Sequence, residues 1–289
     1  MGACATIKSA GGGLEEYDHY HRRFQRLSAA GVWGKYLVIA QKWVFLQGMK
    51  MLHLSLFAVV GIVMAELSRL SAAQPVGDEI LSSLRIVEDP EGSANVRSGP
   101  SLQGKVLEQL RSGTVVAVVP GAARDWVELE SDTESGEARY IHSSRLRTLT
   151  KWKQVLGRVT MDETGIVGAD EFEVKVQGVP FAAGKHRITK DKDGLALVDG
   201  KIPWGVDGGL PSSTLTWKVS LRGEPLKVPD LAVNNLFQPN PETLVLLTPG
   251  KASDQSVVIM TNSDGAGGYC VAWSFKAGQY CGRIVFMPF

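Results

Sequence analysis

Between Asn95 and Leu146 the apolar residues come in short runs cut by turn residues at roughly ten-residue spacing, which leaves room only for a small antiparallel β fold. Asn95-Val96-Arg97-Ser98-Gly99-Pro100-Ser101 reads as a strand end running into a turn. Pro100 fixes its own φ, and Gly99 tolerates the extended backbone that a proline imposes on the residue before it. Val106, Leu107 and Leu110 lead to Arg111-Ser112-Gly113-Thr114, a turn signal ahead of the β-branched run Val115-Val116-Ala117-Val118-Val119. Trp126, Val127 and Leu129 start another strand, and Gly136 sits in a polar loop suited to a hairpin. Tyr140-Ile141-His142-Ser143-Ser144-Arg145-Leu146 closes the segment.

Taken together, the opening and closing motifs resemble a bacterial SH3-like (SH3b) domain, a small β-barrel found mostly in cell-envelope proteins. Arg139-Tyr140 stands where that family usually has Gly-Trp or Gly-Tyr, so the aromatic is kept and the tight glycine is not. The resemblance assigns residues 84–149 to a binding module whose partner is peptidoglycan or an envelope protein. Small barrels fill their interiors with side chains, so ligand contacts are expected from strand ends and loops. Trp126 and Tyr140 begin strands just after loops and offer flat rings with a polar edge, which suits sugar or peptide contacts. Asn95 and Arg97 at the opening motif, with His142 and Arg145 at the closing one, supply a polar rim. For Trp126 and His142 the structural alternative is that they simply close the barrel.

Ahead of this module, Lys50 precedes the apolar run from Met51 to Ala65, and Ser71-Ala72-Ala73-Gln74 follows. A positive start, an apolar run of roughly fifteen residues and small residues at a cleavage point make residues 49–73 a secretory signal peptide. The run falls short of the roughly twenty residues of a spanning helix, and a retained signal-anchor or a buried core helix is the alternative. No cysteine follows at the cleavage point to take a lipid. The implied location is periplasmic or secreted, with membrane contact only through residues 51–70 if they are not removed. Lys and Arg at 22, 23, 26, 35, 42 and 50 hold the N-terminus in the cytoplasm under either reading. Within residues 1–48, Tyr20-His21-Arg22-Arg23-Phe24-Gln25-Arg26-Leu27 and the residues up to Trp33 resemble the amino-terminal region of insertion-sequence transposases. The resemblance implies a mis-called translation start, with Met49 or Met51 as the true one; a helical cytoplasmic extension is the alternative.

After a linker at 74–83 and the SH3-like stretch, residues 150–289 read as a larger antiparallel β-rich domain, which makes the fold class all-β. Phe172, Val174 and Val176 alternate with Glu171, Glu173 and Lys175, and Leu215, Trp217, Val219 and Leu221 alternate with polar residues. Such period-two patterns mark half-buried strands. Asp-Gly pairs at 193–194, 199–200, 207–208 and 264–265, and Arg222-Gly223, supply hairpin turns. In the last hairpin, pairing Phe275 with Tyr280 places Tyr269, Val271, Trp273 and Phe275 on one face with Tyr280, Gly282, Ile284 and Phe286, and Gly282 opposite Trp273. Cys270 then faces Val285 and Cys281 faces Ser274, roughly 13 Å apart along the ladder. A disulfide needs Cα atoms within about 7 Å. The register therefore favours two free buried thiols, while an oxidising compartment and an even count in the exported chain favour a bridge. The glycine-rich turn Ser263–Gly268 lacks the Lys and helix start of a P-loop.

With 31 Lys and Arg against 30 Asp and Glu, no basic run provides a phosphate footprint, so nucleic acid is not an expected partner. Residue inventory also argues against an enzyme. After residue 73 the chain has two histidines, His142 in the closing motif and His186 in Gly184-Lys185-His186-Arg187. Wall peptidases need a Cys nucleophile with a His base, or zinc held by His and a carboxylate. Asp191-Lys192-Asp193-Gly194 lacks the later acidic ligands of a calcium loop, and Asp162-Glu163 and Asp170-Glu171 have no aromatic sugar platform beside them. No cofactor or metal is expected. The reading is a non-catalytic extracytoplasmic binding protein; the alternative is a cell-wall hydrolase with a cryptic site in the C-terminal β part.

Overall fold

The computed structural model describes residues 73–121, 125–130, 137–250, 254–262 and 267–287. The expected N-terminal extension at 1–48 and almost all of the signal segment at 49–73 lie outside the described residues, as do Gly136 and most of the turn 263–268. Residues 74–83, expected as a linker, carry the single described α-helix, α1 (Asp78–Ser83), and Val76, Ile80 and Leu81 are buried. No described helix is long and apolar enough to cross a membrane.

Seven short strands follow: β1 (Leu84–Val87), β2 (Ser93–Arg97), β3 (Val106–Arg111), β4 (Val115–Ala117), β5 (Trp126–Leu129), β6 (Arg139–His142) and β7 (Leu146–Thr148). They form two antiparallel sheets, ordered β4-β1-β7 and β3-β2-β6-β5, instead of the closed barrel expected. The ladder passes from one sheet to the other at a single bridge, Val118 to Leu129, reinforced by Val119 N–H donating to the Glu128 carbonyl and Glu130 N–H to that of Ala117. Strands of three to six residues run out of pairing length before the ring is complete. Val87, Ala94, Val96, Val116, Val118, Leu129 and Ile141 fill the space between the two sheets.

The remaining strands are β8 (Lys153–Leu156), β9 (Arg158–Val159), β10 (Gly165–Ala169), β11 (Phe172–Pro180), β12 (Ile188–Lys190), β13 (Ala196–Val198), β14 (Ser213–Leu221), β15 (Glu224–Pro225), β16 (Val245–Thr248), β17 (Gln255–Asn262), β18 (Tyr269–Lys276) and β19 (Gln279–Phe286). Two five-stranded sheets result, β15-β14-β11-β10-β9 and β19-β18-β17-β16-β8, with β12-β13 as a separate hairpin. The alternating pattern of β11 and β14 places Val174 and Val176 with Leu215 and Val219 on the buried face. At Arg222-Gly223 both φ angles are positive, as a two-residue hairpin turn between β14 and β15 requires.

The sheet β19-β18-β17-β16-β8 is the centre of the protein because it is covered on both faces. Val257, Ile259, Cys270, Ala272, Ile284 and Phe286 pack against Ile80, Leu84, Ile86 and Val115 from α1, β1 and β4. Val258, Met260, Tyr269, Val271, Trp273 and Phe275 pack against Val174, Val176, Leu215 and Val219. Strand β18 is therefore buried from Tyr269 to Phe275 without a break. Burying a large apolar side chain stabilises by about 1.5–3 kcal/mol, so these two layers hold much of the fold together.

Phe275 pairs with Tyr280, as expected, but a β-bulge follows. Gly282 lies opposite Ser274, not Trp273, and Ile284 and Phe286 pair with Ala272 and Cys270. They belong to the face opposite Tyr269 and Trp273, which corrects the common-face expectation: one extra residue, Cys281, inverts the alternation beyond it. Cys270 and Cys281 are both free thiols; Cys270 is fully buried and Cys281 only half-buried. Burial pushes the Cys270 thiol well above its ordinary range.

Candidate functional site

Alternation along β2, β5 and β6 decides which side chains reach solvent. Ala94, Val96, Leu129 and Ile141 point inward, so Asn95, Arg97, Trp126, Glu128, Tyr140 and His142 share the outward face of the sheet β3-β2-β6-β5. Pairing fixes their neighbours. Trp126 lies opposite His142, Glu128 opposite Tyr140, and Tyr140 opposite Arg97. Directly opposed side chains stand on the same side about 5 Å apart, so the register alone builds a contiguous surface.

Contacts on this face are specific. The Trp126 and His142 rings meet edge to face with centroids 5.3 Å apart. His142 Nδ1 accepts the Ser144 N–H and lies 2.8 Å from Ser144 Oγ, so in the neutral ring Nε2 carries the proton. The Tyr140 hydroxyl donates to Glu128 Oε2 at 3.0 Å; this hydrogen bond, then desolvation, keeps the phenol above its ordinary range. Arg97 donates to the Gly104 carbonyl at 2.8 Å and so braces the loop between β2 and β3. Asn95 Oδ1 accepts from Gln109 Nε2 at 3.0 Å.

Five of the six residues singled out in the sequence thus meet on one face, and the sixth does not. Arg145 sits in the short 3-10 turn Ser143–Arg145 and pairs with Asp89 at 3.1 Å. The Asp89 side chain is only 5% exposed, so this ion pair ties the turn before β7 to the turn after β1. Glu128 was missed; its signal is the i, i+2 spacing from Trp126, which puts both on one face of a strand.

A second polar cluster lies at the base of the hairpin β12-β13. His186 Nδ1 is 2.8 Å from Asp199 Oδ2, and Asp199 Oδ1 accepts the Arg187 N–H. The His186 ring stacks on Phe181, with centroids 4.9 Å apart. The hydrogen bond from His186, then that from the Arg187 backbone, holds the Asp199 carboxyl below its usual range. The sequence marked Asp193-Gly194 as a turn, and closure of β12 on β13 across that turn carries Asp199 back to Arg187 and His186. Cys270 is sealed in the core against the far layer, so His186 and Cys270 do not assemble as a pair. Among the described residues no three His, Cys, Asp or Glu gather as metal ligands.

Residues 92–147 match the family model of the bacterial SH3 domain. That span contains every residue of the outward face. Bacterial SH3 domains commonly act as cell-wall or peptidoglycan-binding modules and are often extracytoplasmic. The match leaves the sheets that follow β7 outside it. No curated protein and no solved structure matches the chain.

Proposed function

We propose that this chain is a non-catalytic binding protein that works outside the cytoplasm and contacts peptidoglycan or an envelope protein through its bacterial SH3 module. The observation that carries the reading is the outward face of β2, β5 and β6, where Trp126, Glu128, Tyr140, His142, Asn95 and Arg97 stand together opposite the buried side of the sheet. Aromatic rings with charged and amide neighbours on rigid strands suit recognition of sugar or peptide. Export rests on the signal segment at 49–73, with a signal-anchor as the alternative.

Incubating the full chain with purified peptidoglycan tests this. Pelleting without released fragments supports binding, and Tyr140→Ala with Arg97→Ala is expected to abolish pelleting while leaving the thermal transition nearly unchanged. If that double variant pellets as the parent does, this face is not the site. Binding to neither intact wall nor its fragments points to a protein ligand. The second reading, a hydrolase, draws on the His186–Asp199 pair, in which a carboxylate orients an imidazole. Soluble muropeptides in the supernatant, lost in His186→Ala, favour it.

A further inference from the structure

On the outward face Glu128, Tyr140 and Arg97 form one row across β5, β6 and β2, each directly opposite the next. Neighbouring strands are about 4.8 Å apart, so the Glu128 and Arg97 backbones are separated by roughly 10 Å with Tyr140 between them. Trp126 stands two residues from Glu128 on the same face, and its ring leans on His142. At one end of the row a carboxylate thus sits beside two aromatic rings; at the other end is a guanidinium. Among the described residues neither Glu128 nor Arg97 has an ion-pair partner. Tyr140 engages one carboxylate oxygen of Glu128, and Gly104 engages one guanidinium nitrogen of Arg97.

These two ends ask for opposite charges. A carboxylate flanked by aromatic rings suits an ammonium group, which gains from the ion and from the ring faces. A guanidinium suits a carboxylate. An uncharged glycan offers hydroxyls and acetamides that can hydrogen-bond either end but neutralise neither charge. We propose that the face takes a peptide carrying a free ammonium and a free carboxylate about 10 Å apart, the ammonium on Glu128 with Trp126 and Tyr140, the carboxylate on Arg97. This rests on the binding role given above and names the chemical class within it. An extended chain advances about 3.3–3.6 Å per residue, so the two termini of a tripeptide span the row.

Isothermal titration of the full chain at low salt, with trialanine as probe, tests the assignment. Trialanine is expected to bind, and N-acetylation or C-terminal amidation is each expected to weaken it at least fivefold. Glu128→Gln is expected to erase the penalty for acetylation and keep that for amidation; Arg97→Gln is expected to do the reverse. Chitotriose is expected to give no heat. Chitotriose binding without trialanine binding overturns the proposal, and so does acetylated trialanine binding as tightly as the free peptide. Peptidoglycan pelleting with no trialanine binding overturns this proposal and leaves the binding role standing. Absence of both overturns this proposal together with peptidoglycan as the partner, and leaves an envelope protein in its place.

Discussion

The backbone N–H of Val115 donates to the hydroxyl of Ser274 at 3.0 Å, and both residues are buried. This bond joins β4 of the SH3 module to β18 of the central sheet. Gln255 Nε2 adds a second link to the Gly113 carbonyl at 3.1 Å. A buried donor left without a partner costs about 1–3 kcal/mol. Ser274→Ala is therefore expected to destabilise the protein by that amount, read as a lower midpoint in urea with an unchanged slope. The module and the sheet share one apolar layer, so the loss is expected in one cooperative transition monitored by both near- and far-ultraviolet dichroism. Two separated transitions would contradict the shared layer.

Gly205 is held at φ +94°, and its N–H donates to the Gly267 carbonyl. A Cβ there would lie 2.2 Å from the Phe237 carbonyl oxygen, a backbone atom that has no room to retreat because Phe237 is itself pinned by its N–H to the Trp204 carbonyl. Gly205→Ala is expected to cost about 2–4 kcal/mol, through strain and steric clash together. Gly209→Ala, where a Cβ meets nothing within 4 Å, is the matched control. Similar melting temperatures for the two variants would refute the close-approach argument.

The His186–Asp199 pair sets an acid limit on the hairpin β12-β13. The Asp199 carboxyl is held below its ordinary value, so its stabilising contribution is present above about pH 4 and is lost as pH falls through the lower folded-state value. Amide exchange at Arg187, whose N–H donates to Asp199 Oδ1, is expected to show reduced protection across that acid window, after correction for intrinsic rates. Asp199→Asn is expected to flatten this pH dependence. An Arg187 amide whose protection stays constant in the parent would sink the assignment.

Strand alternation made much of the fold legible. Phe172, Val174 and Val176, and Leu215 and Val219, read as one buried face because residues two apart in a strand point the same way, and they do pack together. Arg222-Gly223 announced its turn through Gly223, which takes a positive φ at no steric cost, and Arg222 follows it into the same region. Most of the outward face proposed for binding was legible too: Arg97, Trp126, Tyr140 and His142 stand at or near the strand ends the motifs marked. Glu128 carried a signal in its i, i+2 spacing from Trp126, but its place opposite Tyr140 comes from the register of β5 on β6; Arg145 lies off the sheet in the turn Ser143–Arg145, where Asp89, distant in sequence, pairs with it.

The amino-acid sequence by itself determined the class of fold, the strands and turns, and the bacterial SH3 segment, because those depend on side-chain periodicity and backbone preference within a few residues. What covers each face depended on the tertiary structure. Nothing local tells whether the unbroken run Tyr269–Phe275 is one-sided or two-sided; burial by β1 and β4 on one face and β11 and β14 on the other makes it a strand covered on both sides. The bulge at Cys281 belongs to the same kind of choice. A single unpaired residue exchanges the two faces of β19, and the competition between two cores, decided by packing across the whole chain, selects which face Ile284 and Phe286 join.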